Sequence, residues 1–135
     1  MTLVLQNLYI GGLSQCDDEN WLRSHKITHI VNCSREIPNY FTSKFRYLNL
    51  FLDDTPHTNI IHACASAKKF IDEATLSRGT ILVHCHMGIS RSASIVIYYL
   101  MKTFGMNFES AQRFLKSLRP EVCPNIGFKK QLYTF

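Results

Sequence analysis

Residues 84–92 read His84-Cys85-His86-Met87-Gly88-Ile89-Ser90-Arg91-Ser92, and this stretch is the most informative part of the sequence. An apolar, largely β-branched run at 80–83 precedes it, and a helix-forming run at 92–97 follows it. A loop between a strand and a helix turns its backbone N–H groups inward, and the helix end adds partial positive charge. The stretch therefore predicts an anion-binding loop at the carboxyl end of a strand.

Two side chains give this loop a chemistry. Cys85 and Arg91 are separated by five residues, and Gly88 between them allows a tight curl that a side chain would obstruct. The field of the loop favours the thiolate form of Cys85 at neutral pH. Arg91 offers a planar fork of donors that can hold two phosphate oxygens at once. Together they indicate attack of a cysteine on phosphorus, with the backbone of residues 86–91 around the phosphoryl group.

The same residues carry a family resemblance. The loop resembles the His-Cys-x5-Arg-Ser signature of the protein tyrosine phosphatase superfamily, and its Gly-Ile-Ser-Arg-Ser-Ala wording is similar to the dual-specificity branch, especially slingshot-type members. The resemblance extends from residues 7–12 to residues 124–128. It implies a phosphatase that removes phosphate from phosphotyrosine, phosphoserine and phosphothreonine through a phosphocysteine intermediate. It also implies that no metal or organic cofactor is needed.

Strand and helix patterns alternate along the chain, which is typical of an α/β fold. Strands are predicted at 8–10, 29–33, 47–52 and 80–84, and a short helix near Trp21 is capped by Asp17 or Asp18. Helical spacing of apolar residues begins near Asn59, and three more helices follow the loop. We expect one domain over residues 1–135, with a mostly parallel sheet of about five strands and helices on both faces.

Composition limits the partners and the compartment. The formal charge of +5 suits an anionic partner such as a phosphorylated protein, but scattered basic residues do not favour nucleic acid. No apolar run is long enough for a membrane span, and no signal peptide is recognised. An odd number of irregularly spaced cysteines indicates reduced thiols. We expect a monomer in the cytoplasm or the nucleus.

A general acid is required as well, because an alkoxide is a poor leaving group. The family resemblance implies an aspartate on a mobile loop after an earlier strand, and Asp53 and Asp54 both follow Leu52. Counting back from the 70–72 Phe-Ile-Asp segment by the spacing of related sequences selects Asp54. The alternative role for Asp53 is that of a solvated loop carboxylate.

The roles of Ser92 and Asn125 each have two possible interpretations. Ser92 either donates a hydrogen bond to the sulfur of Cys85, which the resemblance implies, or satisfies a backbone group at the helix start. Asn125 either supports the phosphate loop (residues 85–91), as in relatives, or caps a helix.

Two histidines, His84 and His86, flank the nucleophile, and a second cysteine, Cys33, ends a neighbouring predicted strand. His-x-His pairs bind metals in other folds, but this pair lacks a third ligand, and a metal leaves Gly88 and Arg91 without a role. We therefore expect no metal site, with His84 buried behind the loop and His86 at its rim. The resemblance also implies that Cys33 can form a protective disulfide with the oxidised nucleophile, whereas free cysteine is more often a small core residue.

Substrate breadth follows from chain length. Phosphotyrosine-only relatives have much larger domains with a deep slot, whereas this chain leaves little beyond the shared core, so we expect a shallow pocket. Its walls are predicted to be residues 53–57, His86 and residues 119–125, with Arg119, Lys129 and Lys130 favouring acidic peptides. A phosphoinositide or RNA phosphatase on the same fold, and a phospho-binding pseudophosphatase, are the alternatives. Lipid-directed relatives tend to carry lysines in the loop, and pseudophosphatases usually lack the cysteine or the arginine.

Overall fold

The computed structural model describes residues 1–135 and contains one sheet of five strands. Four neighbouring strands run parallel, and the first strand pairs antiparallel with the second at one edge of the sheet. The spatial order is β1-β2-β5-β3-β4, for β1 (Thr2–Leu5), β2 (Leu8–Gly11), β3 (His29–Ser34), β4 (Arg46–Leu52) and β5 (Ile81–His84). The prediction of a mostly parallel five-stranded α/β fold is confirmed.

Helices cover both faces of the sheet, as predicted. They are α1 (Leu13–Cys16), α2 (Glu19–Ser24), α3 (Ile61–Leu76), α4 (Arg91–Phe104), α5 (Phe108–Leu118) and α6 (Ile126–Thr134). Side chains alternate between the faces along a strand. Val83 therefore lies in the large core with the buried faces of α3 to α6, and Leu82 lies in a small cluster beside α1 and α2.

Two short elements have no counterpart in the sequence prediction. Strand β1 is an edge strand whose pairing with β2 is irregular between Leu3 and Leu5. Helix α1 has four residues, so it shows less than two turns of periodicity. The cap of α2 is Asp18, whose side chain accepts from the Trp21 N–H at 3.0 Å. No helix is both long and apolar enough to cross a bilayer.

The carboxyl ends of three parallel strands, β3, β4 and β5, lie on the same side of the sheet. Strands β3 and β5 are in register at Asn32 and His84, so Cys33 and Cys85 follow at the same level. Strand β4 ends at Leu52, next to the two aspartates. Helix α4 starts at Arg91 directly after the loop and is buried on almost every side. These ends form the candidate site.

Candidate active site

The loop after β5 is held by hydrogen bonds from outside to every carbonyl of residues 86–90. The donors are the Leu13 N–H to His86 at 2.9 Å, the Arg119 guanidinium to Met87 at 3.1 Å and Gly88 at 3.0 Å, the Cys123 N–H to Ile89 at 2.9 Å, and the Ser94 N–H to Ser90 at 2.9 Å. Because each carbonyl points outward, the N–H groups of the loop are turned toward its centre. Gly88 has a φ of +71°, which favours glycine.

Cys85 lies at the bottom of this loop and is almost completely buried. Its Sγ accepts from the Gly88 N–H at 3.2 Å and lies 3.1 Å from the Ser92 hydroxyl. Ser92 is the second residue of α4, and the helix cap position belongs to Ser90. The Ser92 side chain therefore contacts the sulfur and makes no hydrogen bond to the helix backbone, which fits the first of its two interpretations.

Arg91 is fixed by a carboxylate that the sequence did not reveal. Its Nη1 and Nη2 each donate to one oxygen of Glu36 at 2.7 Å, and Nη1 also donates to the Leu52 carbonyl at 3.0 Å. The hydrogen bond raises the pKa of Arg91 and lowers the pKa of Glu36 to about 2. A guanidinium has five N–H groups. Three are occupied, which leaves the Nε–H and one Nη2–H side by side for a bidentate ligand.

The two aspartates after β4 have different partners. Asp54 Oδ1 accepts from the Ser90 hydroxyl at 2.7 Å and from the Asn125 side-chain amide at 2.9 Å. Asp53 instead pairs with the exposed Arg35, whose Nε donates at 3.1 Å and 3.2 Å. Only Asp54 is therefore connected to the loop.

Helix α6 holds the loop that carries Asp54. Asn125 caps this helix by accepting from the Phe128 N–H at 2.9 Å, and its own N–H donates to the Ser90 hydroxyl at 3.0 Å. Asn125 thus combines the cap with the contact to the phosphate loop. The side chain of Gln131 binds the Thr58 carbonyl and the Ile60 N–H, both at 2.8 Å.

A glycine permits the close approach of the two segments. A Cβ on Gly127 would overlap the Pro56 carbonyl oxygen, so no larger residue fits there without moving the backbone of the Asp54 loop. The sequence shows Gly127 and Gln131 only as helix residues.

The remaining predicted residues take separate positions. His84 is buried, its Nδ1 lies 3.5 Å from the Cys85 carbonyl, and burial lowers its pKa to about 4. His86 is exposed at the rim. No group of side chains is arranged to hold a metal ion. Cys33 is buried, and burial followed by the nearby charge of Cys85 raises its pKa well above the usual range.

Arg119 differs from the sequence expectation. The sequence predicts a basic side chain at the pocket wall that favours acidic peptides, but the Arg119 guanidinium is buried and bound to the carbonyls of Met87 and Gly88. Lys129 and Lys130 remain at least partly exposed. A buried arginine cannot be read from the sequence, because its partners are backbone atoms of a distant loop.

Comparison with known proteins agrees with this geometry. The family described as the dual specificity phosphatase catalytic domain matches residues 8–135. Dual specificity protein phosphatase 19 of Mus musculus is 41% identical over 95% of this chain and 58% of that protein. The Slingshot homolog of Xenopus laevis is also 41% identical, over 95% of this chain and 18% of that protein. The chain thus spans little more than half of the first relative and under a fifth of the second.

Solved structures show the same relationship. The crystal structure of DUSP15 superposes with a TM-score of 0.95 and 36% identity, covering 100% of this chain and 86% of that one. The loop, the fold and these matches define a cysteine phosphatase domain of the protein tyrosine phosphatase superfamily. The chain belongs to the dual specificity phosphatase family.

Proposed function

We propose that this chain hydrolyses phosphate esters of tyrosine, serine and threonine in proteins through a phosphocysteine intermediate. The observation that carries the proposal is the placement of Cys85 Sγ 3.2 Å from the Gly88 N–H and 3.1 Å from the Ser92 hydroxyl, in a loop whose carbonyls at 86–90 all accept hydrogen bonds from outside. Arg91 adds its two unoccupied donors, and Asp54 is tied to the same loop through Ser90.

In the first step the phosphate dianion binds to the N–H groups of residues 86–91 and to the free edge of Arg91. The Cys85 thiolate attacks phosphorus, and the bond from phosphorus to the ester oxygen breaks as the S–P bond forms. Asp54 gives its proton to the departing oxygen, which leaves as a neutral alcohol or phenol. The Ser90 and Asn125 contacts hold the Asp54 carboxyl at the loop.

In the second step water cleaves the thiophosphate ester. Asp54, now ionised, accepts a proton from the water that attacks phosphorus, as microscopic reversibility requires. The S–P bond breaks, inorganic phosphate is released and Cys85 leaves as a thiolate. The Ser92 hydroxyl then donates to the sulfur and stabilises its negative charge. The residues of the chain account for both steps without a cofactor.

The proposed activity extends to all three phosphorylated side chains. The residues around the mouth of the site are exposed, including Glu36, His57 and His86. A shallow mouth of this kind lets the short phosphoserine and phosphothreonine side chains reach the sulfur as well as phosphotyrosine. The test compares kcat/KM on two peptides of the same sequence, one with phosphotyrosine and one with phosphothreonine. Strict phosphotyrosine preference, with no turnover of phosphothreonine, would contradict it.

The alternatives have less support. Residues 86–90 contain no lysine, which does not favour a phosphoinositide, and both Cys85 and Arg91 are present, which does not favour a pseudophosphatase. We further propose that a phosphorylated protein is the partner, without nucleic acid or membrane, and that the chain acts as a monomer in the cytoplasm or nucleus. The five free thiols support a reducing compartment. Sedimentation of the purified protein and imaging of a tagged chain test these two points.

The test of the activity uses two variants and two substrate classes. Cys85→Ser should abolish turnover and still bind inorganic phosphate, because a hydroxyl is not ionised at neutral pH. Arg91→Lys should lose most activity, since a single ammonium cannot replace the bidentate edge. A panel of phosphopeptides assayed beside phosphoinositides separates the protein phosphatase from its alternative. Full activity in either variant, or activity that EDTA removes and a metal restores, would contradict the mechanism.

A further inference from the structure

Arg119 is a buried cation that touches the phosphate loop only from behind. It follows α5, and its side chain is 9% exposed. The guanidinium donates from Nε to the Gly88 carbonyl at 3.0 Å, from Nη2 to the Met87 carbonyl at 3.1 Å and from Nη1 to the Thr2 hydroxyl at 3.0 Å. The nearest carboxylate, Glu121, is half exposed and lies 3.8 Å from Nε.

The carbonyls that Arg119 binds belong to two amides of the loop. The Met87 carbonyl and the Gly88 N–H are opposite ends of one planar peptide group. That same N–H donates to Cys85 Sγ at 3.2 Å. A cation on the oxygen side of an amide polarises it and strengthens its N–H as a donor. The next amide, from the Gly88 carbonyl to the Ile89 N–H, is polarised in the same way.

We propose that Arg119 is a positioning residue that stabilises the Cys85 thiolate, and the phosphoryl group bound above it, through these two amides without touching either. The part that concerns the phosphoryl group rests on the proposed function, whereas the part that concerns the thiolate does not. Arg119 thereby increases the positive potential at the centre of the loop, in addition to fixing the conformation of the loop.

Other groups also act on the Cys85 sulfur and have to be separated from Arg119. Arg91 of α4 is cationic, but Glu36 from the loop after β3 pairs with it. Cys33 of β3 and Cys16 of α1 are also close to Cys85, but burial raises the pKa of both, so neither adds a charge at neutral pH. His84 of β5 is neutral above about pH 4. Arg119 is thus a second cation at the loop, and it comes from a separate element.

The experiment measures the pH dependence of alkylation of Cys85 by iodoacetamide in the whole chain, which needs no turnover. Mass spectrometry of the Cys85 peptide follows the reaction, and the exposed Cys123 serves as the internal reference thiol. Arg119→Gln keeps a hydrogen-bond donor and removes the charge. Arg119→Lys keeps the charge but has one nitrogen for two carbonyls. Thr2→Val is the matched control, because it removes only the third bond of Arg119.

For Arg119→Gln we expect the midpoint of the Cys85 profile to rise by roughly 0.5–1 pH unit, less than a charge in direct contact produces. Arg119→Lys should lie between Arg119→Gln and the wild type, and Thr2→Val should match the wild type. Inhibition by inorganic phosphate should weaken about fivefold in Arg119→Gln, near the worth of one hydrogen bond.

An unchanged midpoint in a folded Arg119→Gln would overturn the proposal, even if turnover falls, because a purely structural role lowers activity without moving the profile. If thermal unfolding shows that Arg119→Gln does not fold, Arg119→Met decides, because it also removes the charge and keeps an unbranched side chain. A midpoint in Arg119→Met equal to that of the wild type would then overturn the proposal. A raised midpoint in a chain that hydrolyses no phosphopeptide would support the role of Arg119 in the thiolate and contradict only the proposed function.

Discussion

Glu36 and Arg91 face each other along the outer edge of the guanidinium, joined by two hydrogen bonds of 2.7 Å each. With the Leu52 carbonyl on the remaining Nη1–H, this pairing leaves a single edge of Arg91, from Nε to Nη2, for a phosphate. Glu36 therefore determines which side of the arginine can bind substrate. A carboxylate beside an anion site repels the anion. Glu36 nevertheless favours binding, because it orients Arg91 so that the Nε–Nη2 edge faces the phosphate.

Replacement of this carboxylate tests the relationship. Glu36→Gln retains one acceptor but presents an amide N–H₂ to the second guanidinium N–H, so the paired geometry is lost. We expect kcat/KM for a phosphopeptide to fall about tenfold, equivalent to about 1.4 kcal/mol. Because the pKa of Glu36 is about 2, the carboxylate is ionised throughout the assay range. The ratio of wild type to variant should thus be constant from about pH 5 to pH 8. Glu109→Gln, a remote carboxylate change, is the control, and unchanged kcat/KM in Glu36→Gln would contradict the role.

The two aspartates after β4 give a second prediction. Asp54→Asn should lower kcat by about 10²–10⁴, the usual contribution of general acid–base catalysis, whereas Asp53→Asn should have a small effect because its partner is the exposed Arg35. The loss in Asp54→Asn should be larger with an alkyl phosphate than with an aryl phosphate that has a good leaving group. If Asp53→Asn were the impaired variant, the assignment of the acid would be wrong.

The buried His84 predicts a dependence of stability on pH. Burial lowers its pKa from 6.5 to about 4, so the unfolded chain binds a proton at mild acidity and the folded chain does not. Stability is therefore complete above about pH 6.5 and is lost as the pH falls toward 4. Between about pH 7 and pH 4.5 we expect His84 to account for a loss of about 2–3 kcal/mol. Denaturant unfolding at both pH values measures this, with His57→Gln as the exposed control. A loss of the same size in His84→Asn would exclude His84 as its source.

Oxidation tests the proximity of two cysteines. Strands β3 and β5 bring Cys33 and Cys85 to the same level at the sheet edge. Peroxide should convert the Cys85 thiolate into a sulfenic acid, and the Cys33 thiol can then displace water from it to form a disulfide that a reductant reverses. Cys33→Ser should lose this recovery, and Cys64→Ser, a change at another buried thiol, should keep it. Peptide mapping that finds oxidised Cys85 without a bond to Cys33 would contradict the pairing.

The sequence predicts those parts of the site that depend on neighbours along the chain. Cys85, Gly88 and Arg91 lie within one loop, so their spacing alone indicates their arrangement, and the aspartate loop follows a recognisable strand. Glu36, Arg119 and Gln131 could not be predicted in the same way, because each acts on a segment far away in sequence. Glu36 offered one signal, since it lies just past β3 at the edge where parallel strands place their ligands. The sequence does not reveal the short elements β1 and α1, because neither extends over enough residues to show a period.

The contact of Gly127 with Pro56 has a consequence for the order in which the site is completed during synthesis. The sheet, the nucleophile and its arginine lie within the first hundred residues, but the loop that carries Asp54 rests on α6 through Asn125, Gly127 and Gln131. A nascent chain that has emerged only as far as Cys123 therefore has the residues that hold its nucleophile loop but lacks the support for its acid. On this basis we expect protonation of a poor leaving group to become possible only after α6 has emerged.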